Sequence, residues 1–329
     1  TGNQFCVFPI HVEEQEIFRV LTEGLVLFQS LTDVDLTQIS TELHPYTVFA
    51  LQQKFPTTVF RYTFEFEGQD INTTDKTLDF YKIPVTNNDI PQLEQLLACL
   101  KDCRYVDMAY TEIDNNGMAQ LVEMFPDIHF SWMIHFSAYT CRTDSNMIKA
   151  SNRIYAFDSE EAEVLKYCTE LEYLDLGHNE LSDITFLSNM KGLKVLILAI
   201  SHTITDISPL ANCTELEYLE LFSNKIVDLS PLSNMVKLTH LNVCNNQITD
   251  ASPLYGLQNL KRLWISNNPL SDEQKEQLLE HLPNCDINFT TSNPTAEGWK
   301  KGPRYDLLCE QFLYGTNTIY LRVGSYDKP

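Results

Sequence analysis

The sequence predicts an α/β solenoid, in which successive coils of the chain stack and each coil adds one short strand to a parallel sheet. A leucine pattern starts at Leu171 and starts again after 22, 23, 22 and 22 residues. Each start is followed by a Leu-x-Leu pair or its Leu-x-Val or Leu-x-Ile equivalent, and in four of the five units an asparagine follows three residues later. Periods of this length indicate a repeat architecture in which each coil buries its apolar side against its neighbours.

The strand of each repeat is predicted at the Leu-x-Leu pair. Side chains alternate across a strand, so the two leucines point to the same side and into the core. The asparagine amide then satisfies backbone groups where the chain turns away from the strand. The anchor residues of the five repeats are Leu171, Leu174 and Leu176; Leu193, Leu196 and Leu198; Leu216, Leu219 and Leu221; Leu238, Leu241 and Val243; and Leu260, Leu263 and Ile265.

The second repeat departs from this pattern. It has no asparagine, and residues 199–203 contain one residue more than the same stretch of the neighbouring repeats. A break in a local rule is often found at a functional site, and a one-residue bulge without function is the alternative.

The first half of the chain is a looser version of the same design. Val34-Asp35-Leu36 recurs 72 residues later as Val106-Asp107-Met108, and Phe55-Pro56 recurs 70 residues later as Phe125-Pro126. A third copy of this pair, Leu282-Pro283, closes the regular array. An amphipathic stretch with helical spacing precedes each pair, so we expect units of ~24 to 30 residues with a helix on the convex side.

These patterns define three segments. Residues 1–165 are predicted as irregular longer repeats with convex helices, residues 166–292 as regular 22-residue repeats, and residues 293–329 as a C-terminal cap. Residues 136–155 fit no repeat and are expected to form an insertion or a transition between the two styles. The predicted fold class is an α/β leucine-rich-repeat solenoid with a concave parallel sheet and a mixed helical and irregular convex side.

The composition restricts the partners. The chain has 23 Lys+Arg against 45 Asp+Glu, a formal net charge of −22, and no basic patch, which excludes nucleic acid and anionic lipid as partners. Its longest apolar runs are far shorter than the ~20 residues of a membrane-spanning helix, so we expect no membrane insertion by this chain. The nine cysteines have no paired CxxC spacing, and most are interpreted as small buried side chains.

We expect no catalytic residue, no metal site and no cofactor. The eight histidines are scattered without an HExxH or comparable pair, and the sequence has neither GxSxG nor a phosphate-binding loop. His178 and His202 occupy similar places in adjacent repeats but lack a third ligand. Cys244 and His240 lack the acid that would orient them for nucleophilic catalysis.

Two phrases carry a resemblance to a known family. Ile204-Thr205-Asp206-Ile207-Ser208-Pro209-Leu210 and Ile248-Thr249-Asp250-Ala251-Ser252-Pro253-Leu254 resemble the repeats of internalin-type bacterial surface proteins. The earlier half, from Val106-Asp107-Met108 through Phe125-Pro126-Asp127 to Arg142-Thr143-Asp144, resembles leucine-rich-repeat proteins of gut Firmicutes. The resemblance implies a right-handed horseshoe, export or cell-surface display, and ligand binding by the inner sheet. Because the sequence starts at Thr1 without an initiating Met, we expect that an upstream signal or lipid anchor has been removed. The sequence lacks the helical amino-terminal cap and the wall-anchoring motif of internalins, which counts against host-cell adhesion.

The residues beside the inward-pointing leucines are expected to form three columns on the concave face. The columns are Tyr173, Val195, Tyr218, His240 and Arg262; Asp175, Ile197, Glu220, Asn242 and Trp264; and Gly177, Ala199, Phe222, Cys244 and Ser266. Aromatic residues and arginine are enriched at interface hot spots. We therefore predict a ligand-binding site formed by Tyr173, Val195, Ile197, Tyr218, Glu220, Phe222, His240, Asn242, Arg262 and Trp264. The alternative is that a terminal segment folds back and covers this face.

The predicted function is non-enzymatic binding of a protein or glycan on the concave face, by a module that is extracellular or displayed at the cell surface. Replacing Tyr218, Phe222 and Trp264 by Ala is expected to abolish partner capture and to leave the fold intact. The alternative is a cytoplasmic regulatory scaffold, because 22-residue repeats also occur in phosphatase-regulating proteins and free cysteines suit a reducing compartment.

Overall fold

The computed structural model describes residues 12–26, 32–39, 43–151, 153–294, 297–300 and 305–306. The chain divides into two compact units, Thr1–Trp132 and Met133–Pro329. The predicted regular repeats start at residue 166, whereas the second unit starts at residue 133 and the first strand of its large sheet at Met147.

The first unit combines four helices with short strands among its described residues. The helices are α1 (Val12–Val26), α2 (Pro45–Lys54), α3 (Ile90–Cys99) and α4 (Asn115–Met124), and the strands are β1 (Asp33–Asp35), β2 (Val59–Arg61), β3 (Thr63–Phe66), β4 (Gln69–Asn72), β5 (Thr77–Asp79), β6 (Tyr105–Asp107) and β7 (His129–Ser131). β1 pairs with β2, and β5, β6 and β7 form a sheet in that order, all parallel. β3 and β4 form an antiparallel hairpin.

The second unit contains a seven-stranded parallel sheet. The described strands of this unit are β8 (Met133–Phe136), β9 (Tyr139–Arg142), β10 (Met147–Lys149), β11 (Tyr173–Asp175), β12 (Val195–Ile197), β13 (Tyr218–Glu220), β14 (His240–Asn242), β15 (Arg262–Trp264) and β16 (Asp286–Asn288). Its described α-helices are α5 (Ser159–Ala162) and α6 (Asp272–His281). β10 to β16 pair in chain order, while β8 and β9 form a second hairpin. The sheet confirms the predicted stack of parallel strands and extends it by one strand at each end.

Between the strands the chain returns through short 3-10 helices. Three of these, Ser208–Asn212, Ser230–Leu232 and Ser252–Leu254, begin at the serine of the repeated Asp-x-Ser-Pro-Leu phrase. In each phrase the aspartate Oδ1 accepts the serine backbone N–H at 2.8 Å, which fixes the turn where proline sets φ.

Three helices end in the same way, and each leads into a strand. α2 ends before Phe55-Pro56, α4 before Phe125-Pro126 and α6 before Leu282-Pro283. The residue before each proline still donates its backbone N–H to a helix carbonyl four residues earlier. Proline disfavours helical backbone at that residue and has no N–H of its own, so the helix stops there. The predicted helices before these pairs are confirmed.

The sequence analysis does not predict the two hairpins. They follow β2 and β7, so that residues 59–72 and 129–142 repeat the same strand and hairpin 70 residues apart, the offset of the two Phe-Pro pairs. The first hairpin alternates exposed and buried residues along β3, a period of two typical of a half-buried strand. The second hairpin overlaps the start of the segment 136–155 that fits no repeat.

The leucines of the regular repeats form the core behind the sheet. The central residues of β11 to β15 are all completely buried: Leu174, Leu196, Leu219, Leu241 and Leu263. They pair with one another across adjacent strands without offset. This placement confirms the predicted inward direction of the leucines.

The asparagines hold the turn after each strand. The Asn246 Nδ2 donates to the carbonyls of Leu221 and Val243, both at 3.0 Å, and its Oδ1 accepts the Ile226 N–H at 3.0 Å. One side chain therefore satisfies backbone groups of two adjacent repeats, as predicted.

Replacing Asn246 by Ala leaves these buried backbone groups without partners. We expect the free energy of unfolding to fall by about 1–3 kcal/mol, the cost of an unsatisfied buried polar group. Urea denaturation followed by circular dichroism measures this loss, with Asn234→Ala as the exposed control. Equal denaturation midpoints for the two variants would contradict the structural role of Asn246.

The second repeat accommodates its extra residue in the turn, not in the sheet. Ile200 and His202 both adopt left-handed backbone, with φ of 62° and 64°. The Thr203 hydroxyl donates to the Leu181 carbonyl of the preceding repeat at 2.6 Å. The pairing of β12 with β13 stays in step, so the insertion leaves the columns unchanged.

Candidate functional site

The strand pairing assembles the predicted columns. Tyr173, Val195, Tyr218, His240 and Arg262 pair in succession from β11 to β15, and so do Asp175, Ile197, Glu220, Asn242 and Trp264. We keep the name concave face for the side of the sheet that carries these columns. Nine of the ten predicted ligand-binding residues therefore belong to one continuous surface, and the tenth, Phe222, packs in the same buried cluster as Tyr218 and Trp264.

This surface is covered, contrary to the open face that we predict from the sequence. Eight of the ten residues have at most 5% of their surface exposed: Tyr173, Val195, Ile197, Tyr218, Glu220, Phe222, Asn242 and Trp264. Only His240 and Arg262 are half-buried. Large apolar side chains in adjacent columns gain free energy by leaving water, and part of the C-terminal segment packs against them.

The C-terminal residues Trp299 and Tyr305 pack against this face, and we call them the cover. Their position changes one expectation. Tyr218, Phe222 and Trp264 belong to a buried cluster that includes Trp299. Their simultaneous replacement by Ala would remove core packing, at a cost of several kcal/mol for each aromatic residue. The triple variant is therefore expected to lose stability, and a test of binding needs other residues.

A compact turn carries the chain from β16 to the concave face. The Glu297 carboxylate accepts the Thr291 hydroxyl and the backbone N–H groups of Ser292 and Asn293, the latter two at 3.0 and 3.1 Å. These hydrogen bonds, led by that from Thr291, lower the pKa of Glu297 to about 2. The Ser266 hydroxyl of the third column donates to the Thr291 carbonyl at 2.6 Å. The turn is thus anchored to the sheet just before Trp299.

Trp299 is the centre of the cover. Its indole lies 5.6 Å from the Tyr218 ring and 5.3 Å from the Trp264 ring, between ring centroids, and only 2% of the residue is exposed. The Arg262 guanidinium lies 4.4 Å from the Trp264 ring and 5.1 Å from the Trp299 ring, and its Nη1 donates to the Trp299 carbonyl at 3.2 Å. Tyr305 adds a third ring, 5.9 Å from Tyr218. Stacking and cation–π contacts together hold the indole on the sheet.

A buried carboxylate lies beside this aromatic cluster. Glu220 is completely buried, and its Oε1 accepts the Tyr218 hydroxyl at 2.5 Å. The Lys300 Nζ lies 3.7 Å from Glu220 Oε2. Burial raises the pKa of Glu220 to about 7, although Lys300 and the Tyr218 hydroxyl act in the opposite direction. The second column therefore holds an acid that changes charge near neutral pH.

Polar atoms on this face lack a hydrogen bond. Among the described residues, Asn242 Nδ2 and Arg262 Nε are buried and make no hydrogen bond. Asn242 and Glu220 occupy paired positions on β14 and β13. Native interiors leave few such atoms unsatisfied, so this concentration marks the surface between the sheet and Trp299 as incompletely matched.

His240 and Arg262 give the face its accessible polar edge. Burial, followed by the charges of Arg262 and Lys261, lowers the pKa of His240 to about 4, so the imidazole is neutral at physiological pH. Its Nδ1 lies 3.0 Å from the Thr239 hydroxyl. The edge therefore presents one permanent cation and one neutral hydrogen-bonding ring.

A cavity borders the cover at the third column. It has a volume of 590 Å³, within the range of small-molecule and peptide side-chain pockets. Phe222 and Ile200 supply apolar walls, and Asn245, Ser292 and Asn293 are among the polar residues that line it.

The described residues show no arrangement for catalysis or metal binding. The Cys244 Sγ lies 3.1 Å from the Ser266 Oγ, and burial raises the thiol pKa, which disfavours the reactive thiolate. His178 accepts the Arg153 Nε–H at 3.1 Å, and burial and Arg153 lower its pKa. No three His, Cys, Asp or Glu side chains in the described ranges converge on a metal position.

The sequence analysis misses Trp299 and Lys300 as part of the site. It assigns them to a C-terminal cap, whereas both lie against the concave face. The local sequence contains a signal that could have identified them. A tryptophan followed directly by a lysine matches a face that offers aromatic rings and a carboxylate.

The regular repeats match a known family model. Residues 169–211, 191–234 and 236–282 match the model described as Leucine Rich repeats (2 copies). Together with the parallel sheet, this match shows that this part of the chain is a leucine-rich-repeat solenoid. A comparison with curated proteins finds no match.

Solved structures of three other proteins are similar over parts of the chain. An internalin C2 from Listeria monocytogenes is 25% identical over 65% of this chain and 80% of its own, with a TM-score of 0.39. An internalin (inlF) of the same species is 20% identical over 88% and 93%, with a TM-score of 0.40. The plant peptide hormone receptor RGFR1 in complex with RGF2 is 18% identical over 54% of this chain and 26% of its own, with a TM-score of 0.32. Within the described ranges, no helix has both the length and the apolar character needed to cross a membrane.

Proposed function

We propose that this chain is a non-enzymatic binding module that recognises a protein ligand through the concave face of its seven-stranded sheet. The observation that carries the proposal is the convergence of Tyr218, Trp264, Arg262 and Glu220 on one surface of paired strands. Aromatic residues and arginine dominate the binding energy of protein interfaces when they meet in a desolvated centre. The proposed role is binding, without catalysis by this chain.

A protein ligand fits this face better than a glycan. The centre of the face combines apolar rings with one buried carboxylate, whereas a glycan would require many exposed hydrogen-bonding groups. The aromatic cluster and the carboxylate together match a peptide that carries an apolar and a cationic side chain.

We further propose that the module acts outside the cell or at its surface. The repeated phrases around Asp206 and Asp250, which resemble internalin-type repeats, support this location. A cytoplasmic regulatory scaffold is the second candidate, because the seven cysteines of the described ranges form no disulfide and six of them are buried. Fractionation of the producing cells distinguishes the two: the protein is expected with the envelope or the medium, and recovery with the cytoplasm would favour the scaffold.

A double variant at the accessible edge tests the binding face. We expect His240→Ala with Arg262→Ala to weaken the complex with the natural partner at least tenfold, because the two half-buried side chains that the ligand reaches first lose their contacts. The partner is captured from the producing cells, purified and titrated by calorimetry against both chains. Val227→Ala with Thr249→Ala, two exposed residues outside the sheet, is the matched control. Equal affinities for the two double variants would place the binding site elsewhere.

A further inference from the structure

We propose that the concave face binds peptide segments in which an aromatic residue is followed directly by a lysine, and that Trp299 and Lys300 occupy this site within the chain itself. The inference rests on the proposed function and adds the chemistry of the partner. Its basis is the way in which two consecutive residues fill two adjacent subsites.

The first subsite is aromatic. The Trp299 indole packs between Tyr218 and Trp264, with His240 6.2 Å away and Arg262 above the ring. Arg262 also donates to the Trp299 backbone carbonyl, at 3.2 Å. The sheet thus contacts both the side chain and the backbone of the aromatic residue, as a peptide-binding site does.

The second subsite is acidic and lies one residue further along the segment. Glu220 has no exposed surface, and Lys300 extends to within 3.7 Å of its Oε2. A carboxylate in such a place is costly unless it is paired with a cation. A glutamate at the centre of an apolar face is therefore consistent with a surface that binds a lysine, because the ammonium group supplies the missing counter-charge.

The fit of the chain's own segment is incomplete. The Lys300 Nζ lies 3.7 Å from Glu220 Oε2, beyond hydrogen-bonding distance, and Asn242 Nδ2 is buried without a hydrogen bond to described residues. A permanent structural cover is expected to satisfy the buried polar atoms that it faces. A ligand lysine that reaches Glu220, with a backbone carbonyl near Asn242, satisfies what Lys300 leaves open.

Occupation by the chain itself lowers the apparent affinity for a ligand. When only a fraction of the molecules has an open face, the apparent dissociation constant rises by the reciprocal of that fraction. Opening the face by substitution should therefore strengthen binding without any new contact to the ligand.

The probe is a fluorescein-labelled peptide with the sequence of residues 291–306, followed by fluorescence anisotropy at pH 8, where Glu220 is ionised. The peptide is titrated with two proteins: the unmodified full chain and the full-length double variant Trp299→Ala with Lys300→Gln, which we call the opened chain. We expect the double variant to bind the probe at least tenfold more tightly than the unmodified chain.

Matched substitutions test the two subsites separately. Probes with Ala at position 299 or Gln at position 300 should each bind the opened chain at least tenfold more weakly. Glu220→Gln in the opened chain should lower the affinity for the probe that carries lysine at position 300 by the same factor. It should leave the affinity for the probe that carries glutamine at that position unchanged. Glu215→Gln, an exposed carboxylate paired with Lys237, is the control and should leave the affinity for the lysine probe unchanged.

Two results would overturn the proposal. One is an opened chain that is folded by circular dichroism yet binds the probe no more tightly than the unmodified chain. The other is binding that is insensitive to both the probe lysine and Glu220, which would show simple adsorption to an apolar surface. If the double variant does not fold, Lys300→Gln alone replaces it; it keeps Trp299 and should still raise the affinity several-fold, and an unchanged affinity would also count against the proposal.

The peptide experiment is independent of the partner capture described above. A natural partner that depends on His240 and Arg262, together with a probe that does not bind, would reject the aromatic-lysine chemistry alone. A probe that binds as expected, together with a partner indifferent to His240 and Arg262, would retain the peptide site and reject its role in that partnership.

Discussion

Replacing Trp299 by Ala should lower the free energy of unfolding by about 3–5 kcal/mol, the usual cost of deleting a buried tryptophan. The indole is 2% exposed and contacts Tyr218, Trp264 and the Arg262 guanidinium. Its removal leaves a cavity and admits water to a face with eight buried side chains. Urea denaturation monitored by circular dichroism measures the loss.

Leu279→Ala is the control for this prediction. Leu279 is large and apolar like Trp299, but 53% of it is exposed, so its replacement should change the stability by no more than about 0.5 kcal/mol. Binding of a hydrophobic dye should rise in the Trp299 variant only. A Trp299 variant as stable as the Leu279 variant would show that the segment does not contribute to the fold.

Replacing Glu220 by Gln should change the pH dependence of stability. The pKa of Glu220 in the folded chain is about 7, above its ordinary value of 4.5, because burial disfavours the ionised form. Between these two values the folded chain holds a proton that the unfolded chain has released, so stability falls as pH rises from 4.5 to 7. Above pH 7 the penalty of the buried charge is fully present.

The glutamine variant lacks this penalty at every pH. The free energy of unfolding of the variant minus that of the unmodified chain should therefore be larger at pH 8 than at pH 5. The expected increase is about 2–3 kcal/mol, from the shift of the Glu220 pKa. Tyr218 still has an oxygen to which it donates, so the side-chain contact is conserved. Urea denaturation at both pH values provides the measurement, with Glu215→Gln as the exposed control. A difference between the two chains that does not change with pH would mean that Glu220 is ionised or protonated throughout.

The columns of the site follow from local rules. Alternation along each strand separates Leu219 from Tyr218 and Glu220, and the equal spacing of repeats stacks the same positions. Neither step needs knowledge of distant contacts, which is why nine of the ten predicted residues belong to one surface. The hairpins β3–β4 and β8–β9 lie outside these rules, because both precede Leu171, where the regular leucine period begins.

The exposure of the site did not follow from local rules. Trp299 lies 35 residues after Trp264 and 81 after Tyr218 in the chain. Its place on the sheet depends on the Glu297 turn and on the Arg262 hydrogen bond, and neither has a periodic signature. The prediction of an open face was therefore wrong, while the alternative of a terminal segment folding back describes part of what the structure has.

The sequence by itself determined the solenoid, the direction of the leucines and the identity of the columns, because each depends on residues within one repeat or on the distance between repeats. Only the tertiary structure decided that the concave face is occupied, that Glu220 is a buried acid beside Lys300, and that the second unit begins at residue 133. Burial and pKa depend on which distant segment displaces water from a surface. That competition is settled by the whole folded chain.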